Sequence, residues 1–305
     1  MNAPIRHSIV ACQSDWVGEH CLALAHRWDP ERLIVIFTAY FDETDTHGPA
    51  PTVIVAGFLG HAFQWRRFEK KLSKIQVREG FSIFHAKEFK ARTGEFAGWS
   101  EAKRARLIAK LTELVRTTLT EGMAVALSRE RYLSEYRAPP IPKKMNLDSQ
   151  YGACFRCCMA RLFDVLAERG YEDTLNVVME RGHKNAGDCE RIFNDLRDHC
   201  KILAGSDFLG GFTLMPKDKC PPLMVADMLA ATYSMFRAQT TAGTLDPAPF
   251  MPPRNPKGRL VWLEPQPDAL RDLKVGFEKM RELKIKDWQE RRDARKKASS
   301  SGEDR

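Results

Sequence analysis

Leu33-Ile-Val-Ile-Phe-Thr-Ala-Tyr-Phe41 runs straight into Asp42-Glu-Thr-Asp-Thr-His-Gly-Pro-Ala-Pro51, and Thr52-Val-Ile-Val-Ala-Gly-Phe-Leu59 follows at once. The first run is rich in β-branched and aromatic residues and is apolar on both faces, the pattern of a strand buried in the middle of a sheet. The second, crowded with Asp, Gly and Pro, reads as a turn. A third run with the same β character, so soon after the first, predicts an antiparallel hairpin.

Downstream of the hairpin the period changes. Trp65, Phe68, Leu72 and Ile75 recur at spacings of three and four, which predicts a helix over 61–78 ended by Gly80. Phe81–His85 reads as a short strand. Ser100 caps a helix from Glu101 to about Thr120 that Gly122 closes, and Met123–Leu127 is a strand. Residues 137–149, rich in Pro and Lys, form a loop. A helix then runs from Asp148 or Ser149 to Arg169, ended by Gly170. Thr174–Met179 is a strand terminating in Glu180, 187–200 is helical, and Phe208–Leu214 is a strand. Pro221-Pro222 opens a last core helix, Leu223 to about Arg237. A hairpin followed by alternating helices and strands predicts an α/β fold, a mixed β-sheet with helices packed on it, over residues 32–240. Residues 1–31 read as a leader with no periodic pattern, 243–268 as Pro-rich and irregular, and the C-terminal part as a charged helix and tail.

With 305 residues, 43% of them hydrophobic, the chain has enough apolar surface for a core that needs no disulfide. No window approaches the roughly 18 apolar residues of a membrane span, and the first thirty residues lack the apolar centre of a signal peptide. A cytoplasmic protein is expected. Of eight cysteines, Cys154 and Cys157 form a CxxC, but no second ligand pair lies at zinc-finger spacing. Cys154 and Cys158 share a helix face and read as small core hydrophobes with free thiols. The formal net charge of +8 favours a polyanionic partner. Much of the excess lies between Lys274 and Lys297 (Lys284, Lys286, Arg291, Arg292, Arg295, Lys296, Lys297), either a solvated helix face or a phosphate-contacting arm.

Three carboxylates stand out against this background. Asp42 and Glu180 each end an apolar strand, and Asp227 interrupts the apolar Val225-Ala-Asp-Met-Leu-Ala230. A charge among apolar residues is costly unless something offsets it. Convergence of all three on a divalent cation is one explanation. Phosphodiester hydrolysis places charge on the attacking water, the leaving oxygen and the non-bridging oxygens, which hard cations stabilise. An all-carboxylate set favours Mg²⁺ or Mn²⁺ over Zn²⁺. Each acid has a plainer reading. Asp42 opens a turn, Glu180 caps the next helix or pairs with Arg181 or Lys184, and Asp227 pairs with Arg237 or Lys219. His85, after a short strand, is placed to carry a proton or is an ordinary cap, with Glu88, Lys87 and Lys90 beside it. Asp45 and Asp188 are lesser additional acids.

Tyr40-Phe-Asp42-Glu43-Thr44, Val55-Ala-Gly57-Phe58, Phe84-His85 with Glu88-Phe89, Gly98-Trp99, Leu175-Asn-Val-Val-Met-Glu180 and Pro222-Leu-Met-Val-Ala-Asp227-Met-Leu-Ala230 together resemble the bacterial domain-of-unknown-function 3800 family, from about Leu33 to Arg237. The resemblance implies a ribonuclease H-like mixed sheet with helices on both faces. It places the family's first acidic motif on Asp42 and Glu43, its strand-end acid on Glu180 and its helix acid on Asp227. Two positions depart from the family's pattern. Thr44 stands where it has Ser, which keeps the hydroxyl, and Met224 stands where it has Gln, which removes a hydrogen-bonding group next to the acid.

These observations lead to a metal-dependent nuclease acting on RNA, DNA or a hybrid. The competing expectation is a non-catalytic nucleic-acid- or protein-binding domain on the same fold. Hydrolysis of small nucleotides is a third, although the chain has no GxxxxGK[ST] loop. The discriminating feature is whether Asp42 and Asp227 come together.

Overall fold

The computed structural model describes residues 37–44, 51–119, 121–139, 141, 147–168, 170–171, 174–182, 185–204, 207–241 and 259–300. The leader, the turn holding Asp45, most of the Pro-rich segment and Lys184 lie outside them, as do Cys12 and Cys21. In chain order the elements are β1 (Phe37–Thr44), β2 (Thr52–His61), α1 (Ala62–Glu79), α2 (Ala86–Ala91), α3 (Glu101–Thr118), β3 (Glu121–Ser128), α4 (Gln150–Glu168), β4 (Leu175–Glu180), α5 (Ala186–Ala204), β5 (Leu209–Met215), α6 (Pro222–Thr241), β6 (Arg259–Leu263) and α7 (Pro267–Ser300). Single helical turns at Gly94–Phe96 and Lys217–Lys219, and a stretch over Arg129–Tyr136 that ends in a π-type turn, complete the list.

The strands form one six-stranded mixed sheet in the order β5-β4-β1-β2-β3-β6. The hairpin is present, with Phe41 opposite Gly57 and Asp42 opposite Ala56. β2 runs antiparallel to both of its neighbours, and the remaining pairs are parallel. Alternation along the strands divides the core between two faces. Tyr40, Ile54, Ala56, Ala124 and Val178 face α1, α2, α3 and α6. Phe37, Phe41, Val55, Val125, Val177 and Met179 face α4, α5 and α7. The chain is therefore α/β, with helices on both sides of a mixed sheet.

Local signals act much as expected at several ends. Gly80 takes a left-handed φ of 72° at the end of α1, and the Lys103 amide donates to Ser100 Oγ at 3.3 Å. Trp65 of α1 donates from its indole to the Thr38 carbonyl at 2.9 Å, tying the helix to β1. Cys154 and Cys158 are buried and unpaired in the second core, as a shared helix face predicts.

Three expectations are corrected. Among the described residues Phe81–His85 pairs with no strand. Phe81 and Phe84 instead turn into an aromatic cluster with Phe89, Phe96 and Trp99, and their spacing of three does not fit a pleat. Gly122 does not close α3, since it lies inside β3 opposite Phe58, where a Cβ would strike the Phe58 ring and Leu260. The segment 243–268 is not wholly irregular, because Arg259–Leu263 forms β6 along the β3 edge.

Gly57 is required for a similar reason. A Cβ there would meet the Tyr40 carbonyl and the Phe41 ring of the neighbouring strand. Gly57→Ala is expected to lower stability by about 1–3 kcal/mol through overpacking, read as a lower urea midpoint with an unchanged m-value.

Candidate metal centre

The pairing of β1 with β4 decides the site. Phe41 lies beside Met179, so the next residues follow in step on adjacent parallel strands: Glu180 ends β4, whereas Asp42, expected at the strand end, lies inside β1, which runs on to Thr44 through its pairing with β2. Both continue the face that carries Tyr40 and Val178, which is the face α6 covers. α6 contributes Asp227 from its second turn, between the buried Ala226 and Met228.

The three carboxylates meet on a side chain that sequence reading did not single out. Lys217 Nζ lies 2.9 Å from Asp42 Oδ2, 3.1 Å from Glu180 Oε2 and 2.8 Å from Asp227 Oδ2. The lysine sits just past β5. Met215 pairs with Glu180, and the chain then turns through Pro216 toward α6. Its side chain is only 5% exposed, whereas Glu180 is 23% exposed and marks the side where the cluster meets solvent. A lysine in a polar turn reads as solvated, so the only available signal was that buried acids need a cation. Arg237, an expected partner of Asp227, pairs with Glu264 instead.

Further polar contacts fix the carboxylates. Asp227 Oδ2 accepts the Ala86 amide at 2.9 Å in addition to the ammonium. Asp42 Oδ1 accepts the Glu43 amide at 2.8 Å. Asp42 Oδ2 is buried and meets the Lys217 ammonium as an ion pair at 2.9 Å. Glu43 leaves the strand toward the opposite face, where the Tyr151 hydroxyl of α4 donates to its Oε2 at 3.2 Å. His85, half-buried, is the residue before α2 and precedes the amide that holds Asp227. Glu88 packs against Gly94, and Lys87 and Lys90 are exposed. Asp188 belongs to another network: it accepts the Ser149 amide and hydroxyl at 2.7 Å and pairs with Arg191.

No protein-family model matches the chain, and no curated protein matches it.

The site's electrostatics are those of crowded acids with too little positive charge. Burial pushes the Asp42 carboxyl well above its ordinary value. Lys217 opposes that shift, and the Asp227 and Glu180 carboxylates add to it. Burial, then the Glu180 charge, raises Glu43 to about 7, against the Tyr151 hydrogen bond that lowers it. Burial alone would lower Lys217, but Asp42, Asp227 and Glu180 together hold its ammonium charged and its pKa raised. Among the described residues no group of three His, Cys, Asp or Glu is spaced to hold a metal ion. The reason is visible in the distances. Oxygens 2.8–3.1 Å from a nitrogen form an ammonium cage, wider than the roughly 2.0–2.1 Å shell of Mg²⁺. The donor set itself, all carboxylate, has the chemistry of a hard-cation site.

Tyr151→Phe tests how Glu43 is held. Losing the hydroxyl is expected to raise the Glu43 pKa above about 7 and to cost about 1 kcal/mol of stability. Carbon-detected NMR titration of Glu43 reads the first effect, and thermal unfolding reads the second.

Among the described residues no helix is long and apolar enough to cross a membrane.

Proposed function

We propose that this chain is a cytoplasmic, divalent-metal-dependent nuclease on a ribonuclease H-like fold, hydrolysing phosphodiesters of RNA or DNA with Mg²⁺ or Mn²⁺ held by Asp42, Glu180 and Asp227. The observation that carries this reading is the meeting of those three carboxylates, from β1, β4 and α6, within about 3 Å of one cationic nitrogen. Their placement on the first strand, a middle strand and the last core helix agrees with the order implied by the resemblance to the domain-of-unknown-function 3800 family. A bound divalent ion supplies Lewis-acid stabilisation of phosphoryl charge and a more acidic water. The chain's own groups do the rest. Asp42 and Asp227 are positioned by the Glu43 and Ala86 amides. Glu43, with a carboxyl raised to about 7, carries a proton near neutral pH. His85 is the second proton carrier, from the start of α2. The net charge of +8 draws the polyanion toward the protein.

The test is cleavage of end-labelled single-stranded, duplex and hybrid oligonucleotides with Mg²⁺, Mn²⁺ or EDTA, using Asp42→Asn, Glu180→Gln and Asp227→Asn as controls. Unchanged activity in all three variants would end the proposal. One observation favours a second reading, a binding domain without turnover: Lys217 already neutralises part of the cluster. That reading expects salt-sensitive nucleic-acid binding and no cleavage with either metal.

A further inference from the structure

The fold-resident cation is the feature that the nuclease reading leaves unexplained. Asp42, Glu180 and Asp227 each direct an oxygen at Lys217 Nζ, and these are the same three carboxylates that would hold the proposed divalent ion. The lysine's side chain is buried, so the contact is not an incidental surface ion pair. One ammonium faces these three carboxylates, so the cluster holds fewer cationic than acidic groups.

We infer that Lys217 is an internal counter-ion that exchanges with the catalytic metal, an inference that rests on the proposed metal site. The ammonium holds the acids together in the metal-free protein, and a divalent ion enters only as the ammonium leaves. The four-carbon stem of lysine makes this exchange feasible without moving a strand. The affinity of the wild-type protein for metal is then set by competition with its own side chain, and the site stays closed at low metal concentration. A lysine that merely supported the carboxylates would have the opposite effect, since its removal would loosen the ligands and weaken metal binding.

Mn²⁺ binding to the EDTA-stripped full chain, followed by calorimetry, separates these outcomes. Lys217→Met is expected to bind Mn²⁺ at least tenfold more tightly than wild type, and the gain is lost when Asp42→Asn is added. If wild type binds Mn²⁺ through Asp42 and Lys217→Met binds no more tightly, the exchange is overturned while the metal site stands. If neither protein binds Mn²⁺, the metal-site reading fails and takes the exchange with it. A second measurement on wild type covers the case in which Lys217→Met does not fold. Acylation of Lys217, followed by peptide mass spectrometry, should rise at least tenfold under saturating Mn²⁺ while exposed lysines such as Lys87 stay constant. No rise would overturn the exchange.

Discussion

Asp42→Asn is expected to reduce the proposed metal-dependent cleavage by at least about 10³-fold, because it removes the most buried carboxylate of the proposed metal site and with it several kcal/mol of transition-state charge stabilisation. The same substitution should raise the melting temperature of the metal-free protein at neutral pH. Asp42 is buried beside other acids, and its carboxyl titrates well above the ordinary value near 3.8. The folded protein therefore binds a proton that the unfolded chain has released. Stability falls as pH rises from that ordinary value through the raised one. Glu43 acts in the same sense between 4.5 and about 7, a span worth on the order of 3 kcal/mol. Lys217 does not counter this trend, because a raised lysine contributes its full stabilisation throughout that window. Melting temperatures in EDTA at pH 5 and pH 7.5 should thus separate in wild type, and less so in Asp42→Asn or Glu43→Gln. Saturating Mn²⁺ should narrow the gap by supplying positive charge. A wild-type melting temperature that rises across this range without metal would contradict the charge crowding on which the site reading depends.

Asp148→Ala is expected to cost about 3–5 kcal/mol of stability. Asp148 is fully buried between α4 and α5. It pairs with Arg156 Nε at 2.6 Å and Arg191 at 2.6 Å, and it accepts the Tyr136 hydroxyl at 2.8 Å. Its removal leaves the Arg156 guanidinium, itself only 3% exposed, without its carboxylate. Burial opposes ionisation of Asp148, but the two arginines outweigh it and hold the carboxyl below its usual range. Its contribution is therefore present above pH 3.8 and is lost as pH falls through the depressed value. The effect should reach the candidate site as well. Asp148 lies three residues before Tyr151, which holds Glu43, so a frayed α4 start releases that carboxyl. Urea denaturation at pH 7 measures the loss. A change below about 1 kcal/mol would mean that the network relaxes or admits water.

The elements were largely legible because their signals are local. The β1 run, the Asp-Gly-Pro turn and the β2 run predict the hairpin from composition alone, and the three- and four-residue spacing of Trp65, Phe68 and Leu72 predicts α1. The failures have local causes too. Gly122 looks like a helix stop, but it is a glycine required by the Phe58 ring across the sheet. Arg259–Leu263 is five residues long and hidden in Pro-rich surroundings, and only the open edge of β3 makes it a strand.

By itself the sequence determined which acids border apolar strand runs and which interrupts an apolar helix, because burial and period are written in the neighbours of each residue. The tertiary structure decided the rest. In-step pairing of β1 with β4 set Asp42 beside Glu180. The packing of α6 on the sheet carried Asp227 to them. The turn after β5 delivered Lys217 into their midst. Those contacts join residues far apart in the chain, and a lysine's spacing holds nothing to show whether its ammonium faces water or three carboxylates.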